Sequence, residues 1–72
     1  MKPGILLVDD EKSIRELFSR YLARAGYDIQ AVSTLAEARE ALAANHYDVV
    51  LLDMKLPDGD GLDWVGELRE TL

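Results

Sequence analysis

Three aspartates carry the chemistry open to this sequence. Asp9 and Asp10 follow directly on Ile5-Leu6-Leu7-Val8, and Asp53 follows directly on Val49-Val50-Leu51-Leu52. A short apolar run without alternation reads as a strand covered on both faces, as in a parallel sheet. In open α/β sheets chemistry gathers at the carboxyl ends of the strands. If the two runs were neighbours, the three carboxylates would converge within a few ångströms and repel one another strongly. A cation among them relieves that repulsion. An all-oxygen donor set selects hard Mg2+ or Mn2+, which keep several waters and commonly share a phosphate with the protein. One carboxylate is then free to act as nucleophile and form an aspartyl phosphate. Asp53 is the candidate nucleophile, because it ends the run read as the central, most apolar strand.

Plainer roles compete for the acids. An Asp at a strand end or before a helix is commonly a cap or a solvated charge. Two apolar runs that both terminate in Asp are less easily explained by capping. Glu11 suits a first-turn position that complements the helix dipole. Asp58 and Asp60 suit turn and cap positions. Lys55 reads as a loop lysine. His46 reads as a surface residue, and no second His exists to make a metal pair. Trp64 reads as partial core on the flank of a helix.

The elements that must position these groups follow from periodicity. A first strand is expected at about residues 4–8. Ile14, Leu17, Phe18, Tyr21, Leu22 and Ala25 then recur on one face of a helix over about 12–25, and Gly26 suits the position just past its end. Tyr27-Asp28-Ile29-Gln30-Ala31-Val32 alternates and predicts an edge strand. Thr34 and Glu37 form a capping-box pattern. They open a helix over 35–44 whose stripe is Leu35, Ala38, Ala41 and Leu42, closed by Asn45-His46-Tyr47. A third strand covers 49–52. The Pro57-Gly59-Gly61 loop follows, then a last helix capped by Asp60, with Leu62, Val65, Leu68 and Leu72 on one face. This β-α-β-α-β-α order predicts an α/β fold with a parallel sheet and right-handed crossovers. Strand order 2-1-3, with helices on both faces, would bring Asp9 and Asp10 beside Asp53; order 1-2-3 would separate them.

Composition narrows the class. A chain of 72 residues makes one domain at most. It is 49% hydrophobic and 31% charged, which is globular rather than disordered. The net charge of −6 argues against nucleic acid or an anionic membrane as a direct partner and suits a site that takes cations. Without cysteine there is no disulfide and no thiolate chemistry. The apolar run after Met1-Lys2-Pro3-Gly4 is too short for a signal peptide or a membrane span, so the expected location is the cytoplasm.

The segments ILLVDDEKSIRELF, GYDIQAVSTLAEA and YDVVLLDMKLPDGDGL resemble the receiver domain of two-component response regulators over nearly the whole chain. The resemblance implies a flavodoxin-like fold with strand order 2-1-3-4-5, which favours the 2-1-3 choice. It implies that Asp53 accepts a phosphoryl group from a sensor histidine kinase or a small phosphodonor. It further implies that Asp10 binds Mg2+ directly, Asp9 largely through water, and Lys55 through its backbone carbonyl. Such a module helps catalyse its own phosphorylation and is not a turnover enzyme. A receiver has five βα units, and this chain stops after the third. Residues 1–72 therefore look like the N-terminal half, a truncated (βα)3 unit without the family's Thr or Ser after its fourth strand or Lys after its fifth. The third strand would then present an open edge, Val49–Leu52. That predicts a homodimer, most simply by pairing of that strand with its copy. Two other functions compete: a self-associating fragment with no retained chemistry, and a Mg2+-dependent phosphohydrolase. The latter family resembles an Asp-x-Asp pattern at the first strand end, which Asp9-Asp10-Glu11 lacks.

Overall fold

A computed structural model of the chain describes residues 2–53 and 55–60. The elements are β1 (Gly4–Val8), α1 (Lys12–Arg24), β2 (Asp28–Val32), α2 (Leu35–Ala44), β3 (Val49–Leu52), β4 (Lys55–Leu56) and β5 (Gly59–Asp60). The first five match the expected segments to within a residue or two. The last helix, with Leu62, Val65, Leu68, Leu72 and Trp64, lies outside the described residues. Asp60, expected as its cap, stands in β5.

β1 is the central strand of a parallel sheet of order β2-β1-β3. Its register pairs Leu6 with Gln30 on one side and with Val50 on the other. The centre thus falls on β1, and the expectation that the strand ending in Asp53 is central is corrected. Ile5, Leu6, Leu7 and Val8 are all buried, as a strand flanked on both edges and covered on both faces requires. The start of β3 is pinned to β1 by a reciprocal pair. Asp48 donates its backbone N–H to the Gly4 carbonyl at 2.8 Å, and its carboxylate accepts from the Gly4 N–H at 2.7 Å.

Opposite crossover directions put the two helices on opposite faces. α2 covers one face, where Leu35, Ala38 and Ala41 pack with Leu6, Val8 and Val32 in the main core. α1 lies over β1 and β2. It ends in a Schellman turn: Tyr27 donates to the Leu22 carbonyl, Gly26 donates to the Ala23 carbonyl, and Gly26 takes φ +97°. α1 does not reach across β3. Val49 is 46% and Leu51 37% exposed, and Leu17, Phe18 and Tyr21 of α1 are exposed as well. The reading of 49–52 as covered on both faces therefore holds for the α2 side only.

Candidate functional site

The parallel ladder runs one residue beyond the strands and fixes the backbones of the acids. Asp9 donates its N–H to the Val32 carbonyl at 3.1 Å, and Asp53 donates its N–H to the Val8 carbonyl at 2.9 Å. Both residues therefore leave the sheet at its carboxyl edge, side by side across β1 and β3, and Asp10 follows Asp9 there. The carboxylates of Asp9, Asp10 and Asp53 each offer an oxygen within 4.8 Å of the other two. Asp9 and Asp53 are half-buried and Asp10 is exposed. The expected convergence of the three acids is thus present in the structure, and it follows from strand order 2-1-3.

Neighbouring residues shape this edge. The Asp9 carboxylate accepts from the Glu11 N–H at 3.0 Å, which folds the turn into α1. Glu11 occupies the N-cap position of α1 with extended backbone and makes no side-chain cap bond. The first-turn role expected for it is corrected by one position. Arg15, one turn into α1, donates from its guanidinium to the Asp9 carbonyl at 2.9 Å. Arg15 is six residues from Asp9 in the sequence, and the sheet-to-helix turn brings it back over Asp9. On the α1 side of the acids an open groove of about 540 Å³ is lined by Leu7, Ile14, Phe18 and Leu51, with Asp9 and Asp53 at its end.

The segment after Asp53 is a small antiparallel hairpin. Lys55 pairs with Asp60, and Leu56 pairs with Gly59, so Lys55 stands two residues from Asp53 at the base of the hairpin. Leu56 packs against the main core. Asp58, at the hairpin tip, reaches the N-terminus of α2. Its carboxylate accepts from the N–H of Leu35 at 2.8 Å and from that of Ala36 at 2.9 Å. The turn reading of Asp58 is met, but its capping role serves α2, a helix much earlier in the chain. His46 is a surface residue at the opposite edge of the sheet, near Asp48.

An acid cluster of this kind fits a hard divalent cation. Mg2+ takes oxygen ligands at about 2.0–2.1 Å, which sets opposite ligand oxygens of an octahedron roughly 4.2 Å apart. The three carboxylate oxygens lie within 4.8 Å of one another, slightly more than that limit, which one ion accommodates when a carboxylate binds it through water. All the donors are hard oxygen, which matches the same ion.

Comparison with known proteins gives one consistent result. The response regulator receiver domain family matches residues 5–72. The transcriptional regulatory protein GltR of Pseudomonas aeruginosa is 49% identical over 58 residues, covering 81% of this chain and 24% of GltR. Among solved structures, the response regulator TrrA of Thermotoga maritima, in complex with Mg2+ and a beryllium fluoride, is 41% identical with a TM-score of 0.89. That match covers 99% of this chain and 61% of TrrA. TrrA in complex with the histidine kinase ThkA gives 40% identity and a TM-score of 0.90, over 100% of this chain and 61% of that chain. The chain therefore spans about a quarter of GltR and about three fifths of TrrA.

Proposed function

The chain belongs to the response regulator receiver domain family, and from that premise we propose that Asp53 is the phosphoryl acceptor of a two-component phosphorelay, supplied by a sensor histidine kinase. The observation that carries this reading is the convergence of Asp9, Asp10 and Asp53 at the carboxyl edge of the sheet. Asp10 would hold Mg2+ directly, Asp9 through water, and the Lys55 backbone carbonyl would complete the protein ligands with Asp53. When bound, the ion offsets negative charge on the phosphoryl oxygens.

The residues themselves account for the rest. One Asp53 carboxylate oxygen attacks phosphorus and forms the new P–O bond. The bond from phosphorus to the donor breaks, and its electron pair leaves with the donor group. The Asp53 N–H bond to the Val8 carbonyl keeps the attacking side chain at the strand end, and the Asp9 carboxylate is turned by the Glu11 N–H. Receiver domains are signalling modules; in this reading the module assists its own phosphorylation and does not turn over a substrate.

The test is intact-mass spectrometry after incubation with acetyl phosphate, with and without Mg2+. The expected result is a gain of one phosphoryl mass that requires Mg2+ and is lost in Asp53→Asn, with helix content unchanged. Uptake that persists in Asp53→Asn would show the acceptor to be another residue. Turnover of a phosphate ester would favour the phosphohydrolase reading.

Residues 1–72 correspond in this proposal to the first three βα units of a receiver, in keeping with coverage of about three fifths of TrrA. Among the described residues β3 has a neighbour on one side only, and Val49 and Leu51 are exposed beside that open edge. This observation favours a second reading, in which the chain self-associates as a homodimer through Val49–Leu52 and retains no phosphoryl chemistry. Retained chemistry and self-association are separable, by mass uptake on one hand and by the concentration dependence of molecular mass on the other. The net charge of −6 supports a module that does not itself hold nucleic acid. No helix among the described residues is long and apolar enough to cross a membrane, and the proposed location is the cytoplasm.

A further inference from the structure

Four residues separate Asp53 from Asp58, and both of these ends are held. At one end the Asp53 N–H is bonded to the Val8 carbonyl at 2.9 Å. At the other the Asp58 carboxylate takes the N–H groups of Leu35 and Ala36 at 2.8 and 2.9 Å. These are the first two amides of α2, which no residue of the helix can serve. The helix's own cap, the Thr34 hydroxyl, accepts from Glu37 instead, at 3.1 Å. So Asp58 does not duplicate a local cap. It fills two positions that the local sequence leaves open.

The hairpin tip is also seated closely. A methyl group added at Gly59 would lie 2.6 Å from the Leu35 Cδ1, and Leu35 is 3% exposed. A side chain at this position would have to displace that Leu35 methyl, so glycine suits the close approach of the hairpin to α2. Lys55 lies between the two anchors, three residues before Asp58. Any ligand atom offered by its backbone takes its position from both of them.

We propose that Asp58 is a positioning residue for the acidic site: it straps the hairpin after Asp53 to the first turn of α2, and so holds the Lys55 backbone carbonyl where the cation binds. The inference rests on the reading of Asp9, Asp10, Asp53 and Lys55 as a Mg2+ site. Asp58 itself binds no ion. Its carboxylate faces backbone amides and acts through the loop.

The experiment is calorimetric titration of the 72-residue chain with Mg2+, repeated for Asp58→Ala, Asp58→Asn and Thr34→Ala. Removing groups that orient metal ligands costs about 10–100-fold in metal affinity, and Asp58→Ala is expected near the lower end of that range. Asp58→Asn keeps one acceptor oxygen for the α2 amides and should lose less. Thr34→Ala removes an α2 cap bond without touching the hairpin, so its melting temperature should fall while its Mg2+ affinity stays that of the unaltered chain. Unchanged affinity in Asp58→Ala, in a chain that does bind Mg2+, would overturn the strap and leave the metal site standing. Equal losses in Thr34→Ala and Asp58→Ala would assign the effect to helix stability and overturn it too. An unaltered chain that takes up no Mg2+ would overturn the metal reading, and the positioning role with it.

Discussion

Two carboxylates converge on the first turn of α2 by different routes. Glu37 reaches back to the Ser33 hydroxyl at 2.6 Å, and the Ser33 hydroxyl bond holds its carboxyl below the usual glutamate range. Asp58 arrives from the hairpin, and the N–H groups of Leu35 and then Ala36 hold its carboxyl below the usual aspartate range. A folded-state value that is depressed means stabilisation fully present above the unfolded value and lost as the pH falls through the folded one. The amide resonances of Leu35 and Ala36 should therefore titrate with a midpoint below the ordinary aspartate value of about 3.9. A midpoint at or above that value, followed by two-dimensional NMR, would show that the Asp58 carboxylate is not held there. The two acids differ sharply in how readable they were. Thr34 and Glu37 are three residues apart, and their spacing alone announces a cap. Asp58 lies 22 residues from Ala36. Its turn position is local information, but its partner is set by tertiary folding.

At the level of elements, burial is distributed unevenly. β1 and the inner face of α2 supply nearly all the buried side chains, and Leu6 is fully enclosed. α1 buries none of its residues. Leu6→Ala should accordingly cost about 2–5 kcal/mol of stability. Leu17→Ala, at a position 60% exposed, should fall within about 0.5 kcal/mol, as substitutions at exposed positions do. Urea denaturation of both variants checks the contrast; similar losses would mean that α1 is packed more deeply than its exposure indicates. Strand and helix limits were legible because runs of four apolar residues and a clear helical period leave little choice. The degree of cover was not. Val49–Leu52 looks like an enclosed strand by composition, yet periodicity carries no information on which neighbours arrive to enclose it. The β4–β5 hairpin was read as loop and turn, because arms of two residues are too short to show alternation.

For the whole molecule, the decisive fact is strand order. Nothing in the local pattern distinguishes 2-1-3 from 1-2-3, so the meeting of Asp9, Asp10 and Asp53 rested on topology and on resemblance to a family. The same order places β3 at the border of the described sheet, with apolar side chains exposed beside an open row of backbone groups. Such edges invite pairing. A two-fold axis perpendicular to the sheet reverses strand direction, so pairing β3 with its copy would make one antiparallel junction between two parallel halves. Light scattering should show twice the chain mass at high micromolar concentration and dissociation on dilution. A folded monomer from micromolar to millimolar concentration would remove the dimer.

The thin seating of α1 has a further meaning in time rather than in space. Segments with few enclosed contacts open first and most often, while the central strand opens only with the whole fold. Among the described elements, detachment of α1 is thus expected to cost less than opening of β1. It would uncover Leu7 and Leu51 beside Asp53 and remove the Arg15 bond to Asp9. Among the described residues, hydrogen exchange is expected to be slower in β1, the floor of the acidic edge, than in α1, its apolar wall.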